Sequence, residues 1–162
     1  MQKHRHGQSA PIRQTVFDDF IHVVDTLRFL APARAVRESV ETLVCDGMLD
    51  AITLTLGGEG YQAIGLMHRA SGLAEETLDI LGGDTKNSVL NLSERVQFDG
   101  VECRSRRGDW ISVGQQRGFE AMCTHFLEGV RAGRGTATDD LLETHRMCEM
   151  IVLHAEAASP TV

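Results

Sequence analysis

Residues 51–56, AITLTL, alternate strictly: Ile52, Leu54 and Leu56 fall on one side, Thr53 and Thr55 on the other. A period of two belongs to a half-buried strand. A glycine-rich stretch follows, and then a second strand-like run, 61–68. Further short runs lie at 35–45, 77–81, 88–92, 95–98, 101–105 and 110–113, with Gly82-Gly83-Asp84 and Asp99-Gly100 among the turns. Links this short join antiparallel neighbours, because a parallel crossover needs a dozen or more residues. Residues 35–113 therefore read as a meander.

Helical patterns stand on either side. In 17–30, FDDFIHVVDTLRFL, the apolar positions Phe17, Phe20, Ile21, Val24 and Leu27 share one face. Thr15 is placed to cap this helix and Pro32 to end it. Near the C-terminus Phe119, Met122, Cys123, Phe126, Leu127 and Val130 form a full apolar stripe, stopped by Gly133 and Gly135. Thr138 is placed to cap a last helix, whose inward positions read Leu141, Leu142, His145, Cys148, Ile151 and Val152. Helix, strands, helices give an α+β fold: an open, largely antiparallel sheet with helices packed on one face. The length of 162 residues suits one domain, 1–162.

The first helix also carries the chemistry. Asp18, His22 and Asp25 stand at i, i+4 and i+7, a polar stripe beside the apolar one. A carboxylate one turn from an imidazole can orient it as a general acid or base. The same pair is also an ordinary feature of surface helices. His22 is the candidate catalytic residue, with the carboxylates of Asp18 and Asp25 beside it.

Other patterns argue against themselves. Gly58-Glu59-Gly60-Tyr61-Gln62-Ala63 follows a strand and matches Gly-x-Gly-x-x-Ala, a dinucleotide fingerprint. That fingerprint needs a helix to follow it. The next residues carry Gly65 and no helical stripe, so a hairpin turn is the better reading, and no cofactor-binding residue is assigned. His4 and His6 alternate as a strand-borne metal pair would, but without further ligands nearby no metal is expected. Cys45, Cys103, Cys123 and Cys148 form no Cys-x-x-Cys pair and read as reduced, mostly buried residues. A net charge of −7 argues against nucleic-acid binding, and Arg104, Arg106 and Arg107 read as a solvated strand edge between acidic neighbours. No run is apolar enough to span a membrane, and MQKHRHGQSAP lacks the apolar core of a signal peptide, so the cytoplasm is the expected compartment.

Asp18-Asp19-Phe20-Ile21-His22-Val23-Val24-Asp25 resembles the Asp-x-Gly-x-His-x-x-Asp helix of the Gfo/Idh/MocA oxidoreductases, and the text around it is similar to their MviM-like branch. The likeness runs to about residue 157, through a closing helix pair. It implies a C-terminal domain that binds substrate and forms oligomers. It implies that Asp18, with Asp25, binds substrate and His22 moves a proton, in a parent enzyme acting with NAD or NADP on a sugar, polyol or similar alcohol or carbonyl. The family often has Gly where this chain has Phe20. The Rossmann domain of the family, with its fingerprint and Glu-Lys-Pro motif, is the partner such a domain requires, and this chain alone is expected to be inactive. A small-molecule substrate and a second copy of the chain are the other expected partners. The competing expectation is a non-catalytic module for protein interaction or dimerisation.

Overall fold

Asp46 and Gly47 both take positive φ, 51° and 73°, the backbone that a two-residue hairpin demands. They fold β2 (Arg37–Cys45) back on β3 (Met48–Gly58), with Val40 opposite Leu54. Gly60, at φ 73°, turns the chain again and sets β4 (Tyr61–His68) antiparallel to β3, Leu54 opposite Gly65. The fourth strand comes from the N-terminus: β1 (Gln2–His4) lies parallel to β4, with Lys3 opposite Met67. The order is β2-β3-β4-β1. This computed structural model describes residues 1–7, 9–106, 108–135 and 139–158, the side chain of Asp139 excepted. It divides into two compact units, 1–76 with 139–162, and 77–138.

In the first unit one helical run crosses the sheet: α1 (Ile12–Thr15), a π-turn at Val16–Phe20, and α2 (Ile21–Leu30). The helix expected at 17–30 thus begins a turn earlier. Pro11 holds the N-cap position, and Thr15 lies inside the run, its hydroxyl donating to Ala10 O at 3.2 Å. The wider π-turn lets Val16 and Phe20 both reach full burial. Phe20, where the family often has Gly, is therefore a core residue. Val23, absent from the expected apolar face, is also fully buried. It and Leu27 rest on Gly65: a Cβ there would stand 2.6 Å from Val23 Cγ1 and 2.8 Å from Leu27 Cδ1. Glycine in mid-strand is what allows so close an approach.

The long helix α5 (Asp139–Ala158) packs beside α2 and over β2. Its buried line is Thr144, Met147, Cys148, Ile151, Val152 and Ala155. Leu141 and Leu142, expected inward, are instead 51% and 66% exposed. Ile52, Leu54 and Leu56 complete the core, as the AITLTL alternation requires. The helices of this unit cover one face of its sheet, as α+β layering predicts. Thr138 and Arg107 lie outside the described residues.

The second unit is a meander of β5 (Glu75–Gly82), β6 (Thr85–Leu90), β7 (Glu94–Phe98) and β8 (Glu102–Arg106), each antiparallel to the next. Gly83 with Asp84, and then Gly100, supply positive φ at two turns. The strand expected at 110–113 does not form. Trp110 is fully exposed, and Ser112 caps the short α3 (Val113–Gln116) by accepting from Gln115 N at 3.0 Å. The apolar stripe of α4 (Phe119–Arg131), expected to be buried, faces solvent, with Phe126 62% exposed. Arg104 and Arg106 both pair with Glu94 on β7, the solvated edge that their acidic neighbours suggested. Of the cysteines only Cys148 is buried; Cys45, Cys103 and Cys123 are exposed.

Candidate functional site

The π-turn sends its two adjacent carboxylates in different directions. Asp18 is exposed, while the Asp19 side chain is only 15% exposed and turns toward β1 and the end of β4. Widened turns of this kind recur at functional sites. His22 lies one turn beyond both and is exposed. Asp18 and His22 thus share an open stripe, at helical i, i+4 spacing. Among the described residues no hydrogen bond joins the Asp18 carboxylate to the His22 ring. The His22 carbonyl accepts from Thr26 Oγ1 at 2.7 Å, and among the described residues the imidazole has no hydrogen-bond partner.

Asp25, the third member of the stripe, is exposed as well but is tied to α5. Its carboxylate accepts from Thr144 Oγ1 of α5 at 3.2 Å, and the same hydroxyl accepts from Arg28. Arg28 also donates to the Asp140 carbonyl at 2.9 Å and to its carboxylate at 2.5 Å. Asp25 therefore helps hold α2 to α5, at the foot of the stripe that Asp18 and His22 leave open. Farther along α2, Arg28, Ala33, Tyr61, Asp140, Glu143 and Met147 line a cavity of about 560 Å³. Its charges are turned on one another, Arg28 to Asp140 and Arg34 to Glu143 at 3.3 Å.

Asp19 is the residue whose importance sequence reasoning missed. It receives three cations: the Lys3 ammonium, Arg69 Nη1 at 2.9 Å and Arg5 Nε at 3.5 Å. The Lys3 and Arg69 side chains are 5% and 10% exposed. Burial pushes the Asp19 carboxyl up, but the hydrogen bond from Lys3 and the charges of Lys3, Arg5 and Arg69 outweigh it, and the group titrates below the ordinary carboxylate range. A signal was present. Lys3 and Arg5 stand two apart in a strand-like segment, and so share a face.

Gly58-Glu59-Gly60 is the β3–β4 hairpin turn. A Cβ on Gly58 would fall 2.1 Å from the Tyr61 ring, so this glycine accommodates an aromatic side chain and opens no helix onto a phosphate. His4 lies on β1, while His6 lies beyond it with Nδ1 3.0 Å from the Ser71 carbonyl. Among the described residues no three His, Cys, Asp or Glu side chains are grouped to hold a metal. No described helix is long and apolar enough to cross a membrane.

Residues 1–99 match the model of a family described as YceM-like, C-terminal domain. YceM of Salmonella typhimurium, whose name assigns it provisionally to the oxidoreductases, is 28% identical over 143 residues, 81% of this chain and 44% of that protein. A dehydrogenase, MviM, of Clostridium difficile superposes with a TM-score of 0.88 at 26% identity, over 94% of this chain and 52% of its own. A Gfo/Idh/MocA family oxidoreductase of Vibrio cholerae shares the fold with a TM-score of 0.83 at 22% identity, over 96% of this chain and 52% of its own. The chain thus spans about half the length of the relatives it matches. These are the folds that the Asp18–Asp25 resemblance implied.

Proposed function

Since the chain belongs to the YceM-like C-terminal domain family, we propose that it is the substrate-binding half of an NAD(P)-dependent oxidoreductase acting on a sugar, polyol or similar alcohol or carbonyl. The observation that carries this reading is the open stripe of the first helix. Asp18 and His22 are both exposed there, one turn apart, while beside them Asp19 is paired with Arg69 and Asp25 is bonded to Thr144. Hydride exchange with carbon is the chemistry that a nicotinamide, held by the other half of such an enzyme, would supply. Everything else falls to this chain. His22 takes the proton of the reacting hydroxyl, or returns it in the reverse direction. Asp18 accepts a hydrogen bond from a neighbouring hydroxyl and fixes the substrate against the imidazole. Asp25 stays bonded to Thr144 and bounds the stripe on the α5 side. Oligomerisation belongs to the same reading: the sheet face that carries Thr53 and Thr55 is the surface for a second copy.

The test is a chimera in which this chain replaces the matching half of the Salmonella relative. Cofactor-dependent turnover is measured across sugars and polyols with NAD and with NADP. Turnover that disappears in His22→Ala supports the proposal. A folded, cofactor-binding chimera that turns over none of them, beside a wild-type relative that does, contradicts it.

One observation favours the alternative, a module that binds protein without chemistry. The α4 stripe is apolar and open, with Phe119 57% and Met122 61% exposed. Exposed apolar groups so arranged mark interaction surfaces.

A further inference from the structure

Three cations converge on the single carboxylate of Asp19, and they do not share it equally. Arg69 meets Oδ2 at 2.9 Å, and the Lys3 ammonium holds Oδ1 while also donating to the Asp19 carbonyl at 3.3 Å. Arg5 approaches only with Nε, at a long 3.5 Å, and its side chain is 29% exposed. Among the described residues its two terminal nitrogens have no hydrogen-bond partner. A guanidinium is a planar fork whose terminal donors match the two oxygens of a carboxylate or phosphate. Here the inner edge of the fork leans on Asp19, and the outer donors remain available. The backbone of Arg5 is pinned on both sides, its N–H to the His68 carbonyl at 2.9 Å and its carbonyl accepting from Ser71 N at 3.0 Å. The fork is thus presented from a fixed main chain.

Its position gives it a use. Asp19 is the neighbour of Asp18, and the two stand about one turn before His22 on the same helical run. Through Asp19, Arg5 is thereby joined to the residue next to Asp18, on the β1 side of the helix. We infer that Arg5, backed by Lys3 and Arg69, receives an anionic group of the substrate, a carboxylate or a phosphate borne by the sugar. This inference rests on the oxidoreductase reading of the same stripe and narrows its substrate class to acidic sugars. Asp19 is the positioning residue: it gathers the cations, and leaves the terminal donors of Arg5 for the ligand.

The experiment follows backbone amide shifts of the isotope-labelled chain while glucose, glucuronate, glucose 6-phosphate and inorganic phosphate are titrated in turn. The expected result is that glucuronate, glucose 6-phosphate or both shift the amides of Arg5 and of Asp18 to His22 at concentrations where glucose does not. Arg5→Gln weakens that binding by about tenfold or more, as the loss of a charged hydrogen bond does, and Arg5→Lys recovers part of it. Which acidic sugar binds better tells a carboxylate site from a phosphate site. Equal shifts from glucose and the acidic sugars at Asp18 and His22 overturn the anionic assignment and leave the oxidoreductase reading intact. Inorganic phosphate binding as tightly as glucose 6-phosphate, with no shift at His22, means an adventitious ion only and also overturns it. No shift at these amides with any compound overturns the anionic assignment, and turnover by the chimera then decides the oxidoreductase reading separately.

Discussion

The Cβ that Gly65 lacks would lie 2.6 Å from Cγ1 of Val23, closer than side chains pack. The seat of α2 on β4, and so the position of His22 above the sheet, depends on that missing atom. Gly65→Ala should destabilise the chain by about 1–3 kcal/mol, the usual cost of overpacking. Val23→Ala opens a cavity and costs about 1–3 kcal/mol alone. In the double variant the two should offset one another in part, because Val23→Ala removes the nearer contact while Leu27 Cδ1 still lies 2.8 Å from the added Cβ. Urea unfolding of the four proteins measures the coupling. Strictly additive losses would show that the helix does not rest on Gly65.

Asp19 should behave as a buried counter-ion. Asp19→Asn leaves Lys3 and Arg69 nearly buried without their shared carboxylate, at a cost of about 2–4 kcal/mol. The sign with pH follows from the lowered titration of Asp19. The unfolded chain binds its proton at a higher pH than the folded chain, so the contribution is complete above the ordinary carboxylate value of about 4. It is lost as pH falls from there through the folded value. The gap in urea midpoint between wild type and Asp19→Asn should therefore close as the solution is acidified. A gap that does not change with pH would deny Asp19 this role.

The cysteines should separate by environment. Burial, with Glu149 and Asp25 nearby, pushes the Cys148 thiol up to about 11, and the residue is enclosed in the core. A hydrogen bond with Asp50 raises Cys45 as well. Thiolate is the reactive form. A chromogenic thiol reagent at mildly alkaline pH should label Cys103 and Cys123 first and Cys45 more slowly. Cys148 should be labelled only on unfolding. Rapid labelling of Cys148 in the native chain would contradict its burial.

The α4 stripe and the core should respond oppositely to substitution. Phe126→Ser, at an exposed position, should change stability by no more than about 0.5 kcal/mol. Ile151→Ala, fully buried, should cost about 2–5 kcal/mol. Thermal or urea unfolding of each variant decides this. A large loss at Phe126 would mean that the stripe is packed in solution.

What could be read from the sequence was local. AITLTL specified its strand and its buried face, since alternation is a property of six neighbouring residues. Gly83-Asp84 and Asp99-Gly100 marked turns because positive φ is written in residue type. The Asp18–His22 stripe was legible for the same reason, being one turn of one helix. What was missed depends on other parts of the chain. The π-turn at Val16–Phe20 exists where two core residues and Asp19 meet different partners, and periodicity at 3.6 residues does not see it. The cationic hub joins Lys3, Arg5, Asp19 and Arg69 across up to 66 positions, 69 less 3. On α4, a stripe of apolar residues promised burial, but amphipathicity states only that a helix has a face, not what lies against it.

If His22 moves the substrate proton, His22→Ala in the chimeric oxidoreductase should lose turnover and little else. The residue is exposed and, among the described residues, its imidazole has no hydrogen-bond partner, so the variant should fold with unchanged stability and bind NAD or NADP as before. Its kcat should fall by about 10²–10⁴-fold, the usual worth of a positioned acid or base. Asp18→Ala should instead act mainly by raising KM. A His22→Ala enzyme that keeps its turnover with its fold intact would contradict the account.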